Sequence, residues 1–552
     1  MKGKRVRRPV AALDTSNQIA LFEQAVASAP QAGPAAGSPR KQAPRFHEPD
    51  PVLIRINERR LDELLKQVGQ HAPLKIRAWL AEMSFSEFEQ AYEPGGRPAY
   101  APRAMVGVIL SGIVQGITSL RDLERFARTD LGCWWVSGAI MPDHSILGRF
   151  IQRHAELLSE EFFEQLTGKV LKLTGSGTGV VAGDGTVIEA AASRYRQMRA
   201  EALAEALQAA RAGAQGEGEP SARVEQLERA QSILEQRRQE RQTRGKDPAT
   251  LTINPHEPEA VVQPQKDKQR YAASYKPSVL ANDKRVIVAA QVHASSETAV
   301  VEQLLDQAQG HGKIDTALFD AGYFATDIIE ATAQRHIELL CPEGQSQGRN
   351  WNKHSDKQLP KSAFDYQGAQ DCYRCPGGHN LTPVARYNGN ASAPAYTEYG
   401  TRACAGCPLR DQCTRSAQGR RIKRYAIDAQ KDALRAKMAQ AEARQRYVQR
   451  QAMVEPVFSA LRDRQGLQRF RRNGLAAVRV EFALHAMAYN LSRALACVLA
   501  TLFARLINAL LTHGTRSFAA SPARPMRITA GLMTLTCGLT PPSAALWLPT
   551  DR

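Results

Sequence analysis

Three acidic residues stand in settings that could do chemistry. Asp184 lies in Val180-Val-Ala-Gly-Asp-Gly-Thr-Val-Ile-Glu189, Asp320 in Thr316-Ala-Leu-Phe-Asp-Ala-Gly-Tyr-Phe324, and Glu455 in Met453-Val-Glu-Pro-Val-Phe458. The first two each follow an apolar run that ends near glycine, so both carboxylates are expected at strand ends. Gly185 and Gly322 would let backbone approach a ligand closely. Taken singly, a strand-end aspartate caps a turn or a helix. Taken together, three carboxylates supply the oxygen ligands that Mg²⁺ or Mn²⁺ takes. Two such ions about 4 Å apart stabilise the attacking and leaving oxygens of an in-line phosphoryl displacement. The chemistry this set supports is metal-dependent cutting and joining of nucleic acid, with Glu189 and Asp327 as reserve ligands.

Glu455 precedes Pro456, which disfavours α conformation at the residue before it and suits the first turn of a helix. Glu455 is therefore expected at a kink or helix start, with Arg462 two turns on and on the same face. Tyr447 and Arg450, three apart, share a helical face. Of these three side chains, Arg462 could pair with a phosphate on a DNA end.

A second constellation is made of thiols. Cys372-x2-Cys375 and Cys404-x2-Cys407 have the spacing of a tetrahedral Cys₄ zinc site, with Cys413 and His379 as spare ligands. Reduced, metal-free thiols are the alternative. Arg402, Arg410, Arg415, Arg420, Arg421, Lys423 and Arg424 flank this cluster and give it a basic surface.

The elements that must position these groups follow from composition and periodicity. The 552-residue chain is too long for one core and implies two or three domains. Its 73 Lys+Arg against 55 Asp+Glu give a formal net charge of +18. Such a balance favours a polyanionic partner, with binding that weakens as salt rises. Residues 441–480 concentrate the charge, with nine arginines against Glu442, Glu455 and Asp463. No continuous apolar segment follows the basic N-terminus, and the run Ala494–Leu511 is interrupted by Arg505 and Asn508. The expectation is a soluble, cytoplasmic, nucleoid-associated protein without a membrane span.

Residues 1–50 read as a disordered basic arm. Residues 52–168 read as an all-helical domain, with stripes at Leu53, Ile56, Leu61, Leu64 and Leu65 and at Met105, Ile109, Ile113 and Ile117. Arg103, Arg121, Arg125 and Arg128 on it would suit a DNA-end binder. Residues 175–345 alternate strand and helix and imply a sheet with helices packed on it. A helical hairpin at about 195–247 interrupts this region. The Cys-rich insertion spans 346–425, the helices around Glu455 span 440–511, and 512–552 form a low-order tail.

The three acidic contexts also carry a resemblance. Asp184-Gly-Thr-Val-Ile-Glu-Ala and Asp320-Ala-Gly-Tyr-Phe resemble the first and second aspartate motifs of the DDE transposases of bacterial insertion sequences. Arg450-Gln-Ala-Met-Val-Glu-Pro-Val-Phe-Ser-Ala-Leu-Arg462, with Gly466-Leu-Gln-Arg-Phe470 and Ala488-Tyr-Asn-Leu-Ser-Arg493, resembles the block around their glutamate. Gly96-Arg-Pro-Ala to Pro142-Asp-His-Ser-Ile-Leu-Gly-Arg-Phe150 resembles their helical N-terminal domain. The resemblance implies an α/β, ribonuclease-H-like catalytic core with an all-α N-terminal domain and a small zinc-ribbon-like insertion. It implies Asp184, Asp320 and Glu455 as ligands of two Mg²⁺ or Mn²⁺ ions, cleavage at terminal inverted repeats, strand transfer to target DNA, and a homodimeric synaptic complex. Tyr447 and Arg450 resemble members of the family's tyrosine–arginine–glutamate constellation, which implies that they contact DNA. Two departures stand out: Arg462 replaces a commoner lysine, and Arg450 lies one residue further from the glutamate. An inactive, transposase-derived DNA-binding repressor is the alternative, and a ribonuclease-H-like repair nuclease a third reading.

Overall fold

The structure, a computed structural model, describes residues 44–517 except 96, 214–221, 244, 266–269, 345–358 and 391–393. Most of the expected basic arm (1–50) and of the low-order tail (512–552) lies outside the described residues.

The first region is helical, as its periodicity requires. Short helices run from Leu61–Gln67 onward, and the most buried is α1 (Pro102–Val114). Pro102 opens α1, where its missing N–H is one the first turn leaves unbonded anyway. Side chains of Ser119, Asp130 and Asp143 cap the next three helices by accepting from the N–H of Asp122, Cys133 and Ile146. The region closes with α2 (Glu161–Thr174), ended by Gly175 in the left-handed conformation.

The sheet behind the carboxylates has five principal strands. These are β1 (Val180–Gly185), β2 (Tyr271–Asn282), β3 (Ile287–His293), β4 (Thr316–Leu318) and β5 (Glu338–Leu340). Their spatial order is β3-β2-β1-β4-β5. The pairs β3–β2 and β2–β1 are antiparallel, whereas β1–β4 and β4–β5 are parallel. Two short strands, Ile188–Glu189 and Val261–Pro264, pair with the first part of β2. Helix α3 (Val301–Gln309) packs on β3, and α4 (Ala441–Ser459) lies against β1 and β2. The last helix, α5 (Leu475–Ser517), packs on α1, α2 and β3 at once.

Strand edges differ from the sequence expectation for local reasons. β3 begins at Ile287 rather than Arg285, because residues 283–286 make the turn and Arg285 takes φ 62°. β2 carried no clear signal because it is buried on both faces and does not alternate. The hairpin forms as Ala200–Gly213 and Ala222–Thr243, and its leucines make a small core of their own with Ile253. The Cys-rich insertion is a five-stranded antiparallel meander from Asp365 to Tyr425, cored by Phe364, Tyr373, Leu381, Tyr399 and Ile422.

The helical region and the sheet share one continuous hydrophobic cluster, from Ile76 to Ala494, with α5 as the element between them. By length and composition Leu475–Thr501 passes for a membrane span, yet 61% of its apolar window is buried inside the protein. It is a core helix. Asn490 shows how it is fastened. Its fully buried amide accepts from the Ile287 N–H (2.9 Å), donates to the Ile287 carbonyl (2.8 Å) and reaches Thr167 of α2 (3.2 Å). An edge-strand residue that water would otherwise satisfy is thus paired from a helix.

His485 of α5 is also enclosed, with Nδ1 2.9 Å from Gln465 Oε1. Burial, assisted by the Arg471 charge, pushes its pKa down to about 3. The neutral ring is the form the fold accepts. As pH falls below about 6.5 the unfolded chain takes a proton that the folded chain refuses, so stability is lost, by about 2 kcal/mol at pH 5. Urea unfolding of wild type at pH 7.5 and 5.0 should show this extra loss relative to His485→Gln. Parallel pH dependences in the two proteins would contradict it.

Candidate active site

The sheet register brings the two aspartates together. Leu318 of β4 is paired with Ala182 of β1. Two residues further on each chain stand Asp320 and Asp184, and a strand repeats its facing every two residues. Neighbouring parallel strands therefore present both carboxylates from one end of the sheet. Asp320 has left the strand: its carboxylate accepts from the Gly322 N–H at 2.8 Å and starts a tight turn. Asp184 accepts from the Gly185 N–H at 2.9 Å.

A cation lies between them. The Arg450 guanidinium is 3.2 Å from Asp184 and 3.7 Å from Asp320, and its side chain is only 8% exposed. Its Nε–H is buried without a hydrogen-bond partner. Burial pushes the Asp184 carboxyl up to about 6, despite the opposing Arg450 charge, with Asp320 and Glu297 adding to the rise. The site therefore wants positive charge, and as folded a side chain supplies it. Among the described residues no three His, Cys, Asp or Glu groups converge as a ready-made ion site.

Helix α4 explains where Arg450 and Glu455 go. Its buried face is Arg450, Met453, Val454, Val457 and Phe458, a helical stripe laid on β1 and β2. Glu455 follows Arg450 by five residues, roughly 140° around the axis. It is accordingly exposed, and no hydrogen bond or ion pair joins it to Asp184 or Asp320. The structure thus brings together two of the three expected carboxylates.

Of the two expectations at Glu455, a kink or a helix start, the helix start is corrected. α4 runs unbroken from Ala441 to Ser459 with Pro456 inside it. A proline there removes the N–H that would bond the carbonyl four residues back. That carbonyl, of Ala452, instead accepts from Arg285 Nε at 2.9 Å. A side chain from the β2–β3 turn replaces the lost bond, which no local rule of sequence could reveal.

Arg462 sits in the π-turn Ala460–Arg464, not on a continuation of the α-helical face. Its guanidinium donates to the Thr186 hydroxyl and to the Val187 carbonyl (3.2 Å), so it holds the turn that follows Asp184. Tyr447 is half-buried one turn before Arg450, with its hydroxyl pKa raised chiefly by burial. Several arginines expected on a free basic surface are likewise in use. Arg103 pairs with Glu48, Arg410 donates to the Cys404 carbonyl, and Arg424 pairs with Asp432 while lying 3.4 Å over Tyr366.

The cysteines regroup. Cys375, Cys404, Cys407 and Cys413 line one pocket with His379, whereas Cys372 does not. The missing Cβ of Gly377 would lie 3.1 Å from Cys407 Sγ and 3.6 Å from Cys375 Sγ, and that of Gly419 3.1 Å from Cys404 Sγ. Cys375 Sγ accepts from the His379 N–H at 3.3 Å. Cys372 is buried elsewhere, against the side-chain carbonyls of Gln367 and Gln370. It lies on a strand adjacent to Cys375, but strand neighbours three apart face opposite sides, so the first Cys-x-x-Cys pair is split.

Comparison with known families gives two matches. Residues 374–495 match a transposase DDE domain, and residues 58–153 match a transposase domain. The first covers the regrouped cysteines, Arg450 and Glu455; Asp184 and Asp320 lie between the two matches. No curated protein matches the chain.

Proposed function

We propose that this chain, which matches a transposase DDE domain and a second transposase domain, is a DDE transposase of an insertion sequence that cuts the ends of its element and joins them to target DNA through Asp184, Asp320 and Glu455. The observation that carries this reading is the pair of aspartates, set side by side by parallel strands across a buried guanidinium. The strand order β3-β2-β1-β4-β5, antiparallel on one side of β1 and parallel on the other, supports a ribonuclease-H-like core.

The carboxylates fit Mg²⁺ or Mn²⁺, which take oxygen ligands. When bound, a pair of such ions stabilises the attacking and leaving oxygens of an in-line displacement at phosphorus. The chain's own groups bind and orient. Asp184 and Asp320 supply ligand oxygens from neighbouring strands, and Glu455 supplies one from α4. Arg450 neutralises the pair in the DNA-free chain, and its unpartnered Nε–H is a donor for a phosphate oxygen. Arg462 fixes the turn after Asp184, and Tyr447, half-buried one turn before Arg450, is a further candidate DNA contact. Double-stranded terminal repeats and target DNA are the substrates, and handling two ends together calls for a homodimer. The presence of both aspartates and Glu455 argues against the inactive repressor.

The regrouped thiols suit a structural zinc held by Cys375, Cys404, Cys407 and Cys413. They share one pocket, and the N–H bond to Cys375 Sγ is of the kind that stabilises a thiolate. Metal analysis of purified protein should find about one zinc per chain in wild type and in Cys372→Ser, and a loss in Cys413→Ser. Loss in the former variant or full retention in the latter would overturn this ligand set.

The catalytic reading is tested on a labelled duplex carrying the element's terminal repeat, incubated with Mg²⁺. Asp184→Asn, Asp320→Asn and Glu455→Gln should each lower cleavage by about three orders of magnitude or more while still binding the duplex. Cleavage near the wild-type rate in any of them removes that residue from the set.

A further inference from the structure

A third carboxylate lies near the aspartate pair without yet converging with it on one ion site, and it is not Glu455. Glu297 stands at the entry to α3, just before the 3₁₀ turn Thr298–Val300. Its carboxyl reaches over Gly185, where a Cβ would lie 2.8 Å from Glu297 Cδ. Any other residue at 185 would have to push Glu297 away, so the glycine beside Asp184 is what admits it. The Glu297 charge is felt at both Asp184 and Tyr323, and Tyr323 also feels Asp184 and Asp320.

Two further observations point to a ligand there. The hydroxyls of Ser278 and Tyr323 are fully buried in this cluster, close enough to engage one another, and neither has a partner outside that pair. Ser278 Oγ is 2.9 Å from the same Gly185 Cβ position, on the side of Glu297. Two buried hydroxyls that have only each other leave hydrogen-bonding capacity unused, which costs stability unless something else engages it. The cluster is also faced by two side-chain cations, Arg450 against the aspartates and Lys276 at 2.7 Å from Glu297. Both side-chain cations are in the position of counter-ions.

We propose that Glu297 is a cation ligand, binding one hard divalent ion together with Asp184 and Asp320 in the DNA-free chain. This rests on the reading of the two aspartates as cation ligands. Glu297 supplies a carboxylate from the start of α3, Ser278 and Tyr323 offer hydroxyls to the water such an ion retains, and Lys276 is the counter-ion given up. Glu455, exposed on α4, remains for the step in which DNA is present. The occupant is an oxygen-preferring cation such as Mg²⁺ or Mn²⁺, since every group in reach is an oxygen donor.

The test is Mn²⁺ binding to the full, DNA-free chain, followed by electron paramagnetic resonance of the free ion. Glu297→Gln should weaken Mn²⁺ about tenfold, and Lys276→Gln, which removes a competing charge, should tighten it severalfold. Weakening in both variants would mean that the Lys276–Glu297 pair is only structural and would overturn the proposal. Unchanged affinity in Glu297→Gln would overturn it too. Asp184→Asn separates the two levels of argument. If it weakens binding while Glu297→Gln does not, Glu297 alone is wrong; if it leaves binding intact, the aspartate site itself is wrong.

Discussion

A guanidinium buried between two carboxylates is the contact on which the arrangement of the catalytic region depends. Removing Arg450 and most of Asp184 from water is costly, and the attraction between them, with the half-exposed Asp320 beside, helps to offset it. Helix α4 must therefore lie where Arg450 reaches the ends of β1 and β4, and its apolar stripe then covers β1 and β2. The balance is not complete. The Asp184 carboxyl stays raised to about 6 and the Arg450 Nε–H stays unbonded, so the cluster is folded but not electrostatically satisfied. A site left in that condition can exchange a side-chain cation for a dissolved one and turn the side chain to a phosphate.

Other contacts keep α4 and the sheet in register. Arg285 takes the carbonyl that Pro456 leaves unbonded, tying the middle of α4 to the β2–β3 turn. Arg462 holds the turn after Asp184 from the far end of the same helix. Asn490 joins α5 to the edge strand β3 and to α2, so the helical region and the sheet settle on one another through shared polar bonds as well as a shared core.

Asp184 and Asp320 were legible because an apolar run ending at glycine is a local pattern, and strand period does the rest. The helical region and the hairpin were legible from their 3.6-residue stripes. Glu455 was misplaced because proline rules describe an isolated chain, and here Arg285 compensates for the missing N–H. Spacing alone paired Cys372 with Cys375, and it does not reveal that the Cys372 thiol is buried against Gln367 and Gln370 while Cys375 lines the pocket of the other thiols. Glu297 was invisible: nothing in its neighbours marks it, and only the fold lays it over Gly185. Arginines such as Arg103 and Arg424 looked like free surface charge and are instead spent on Glu48 and Asp432.

The central claim is that Asp184 touches a catalytic cation, and a change of ligand atom tests it most directly. Thiolate is a poor ligand for Mg²⁺ and a better one for Mn²⁺. Cleavage of the terminal-repeat duplex by Asp184→Cys should therefore be lost in Mg²⁺ and recovered in part in Mn²⁺. Wild-type cleavage by this variant in Mg²⁺ would contradict the account.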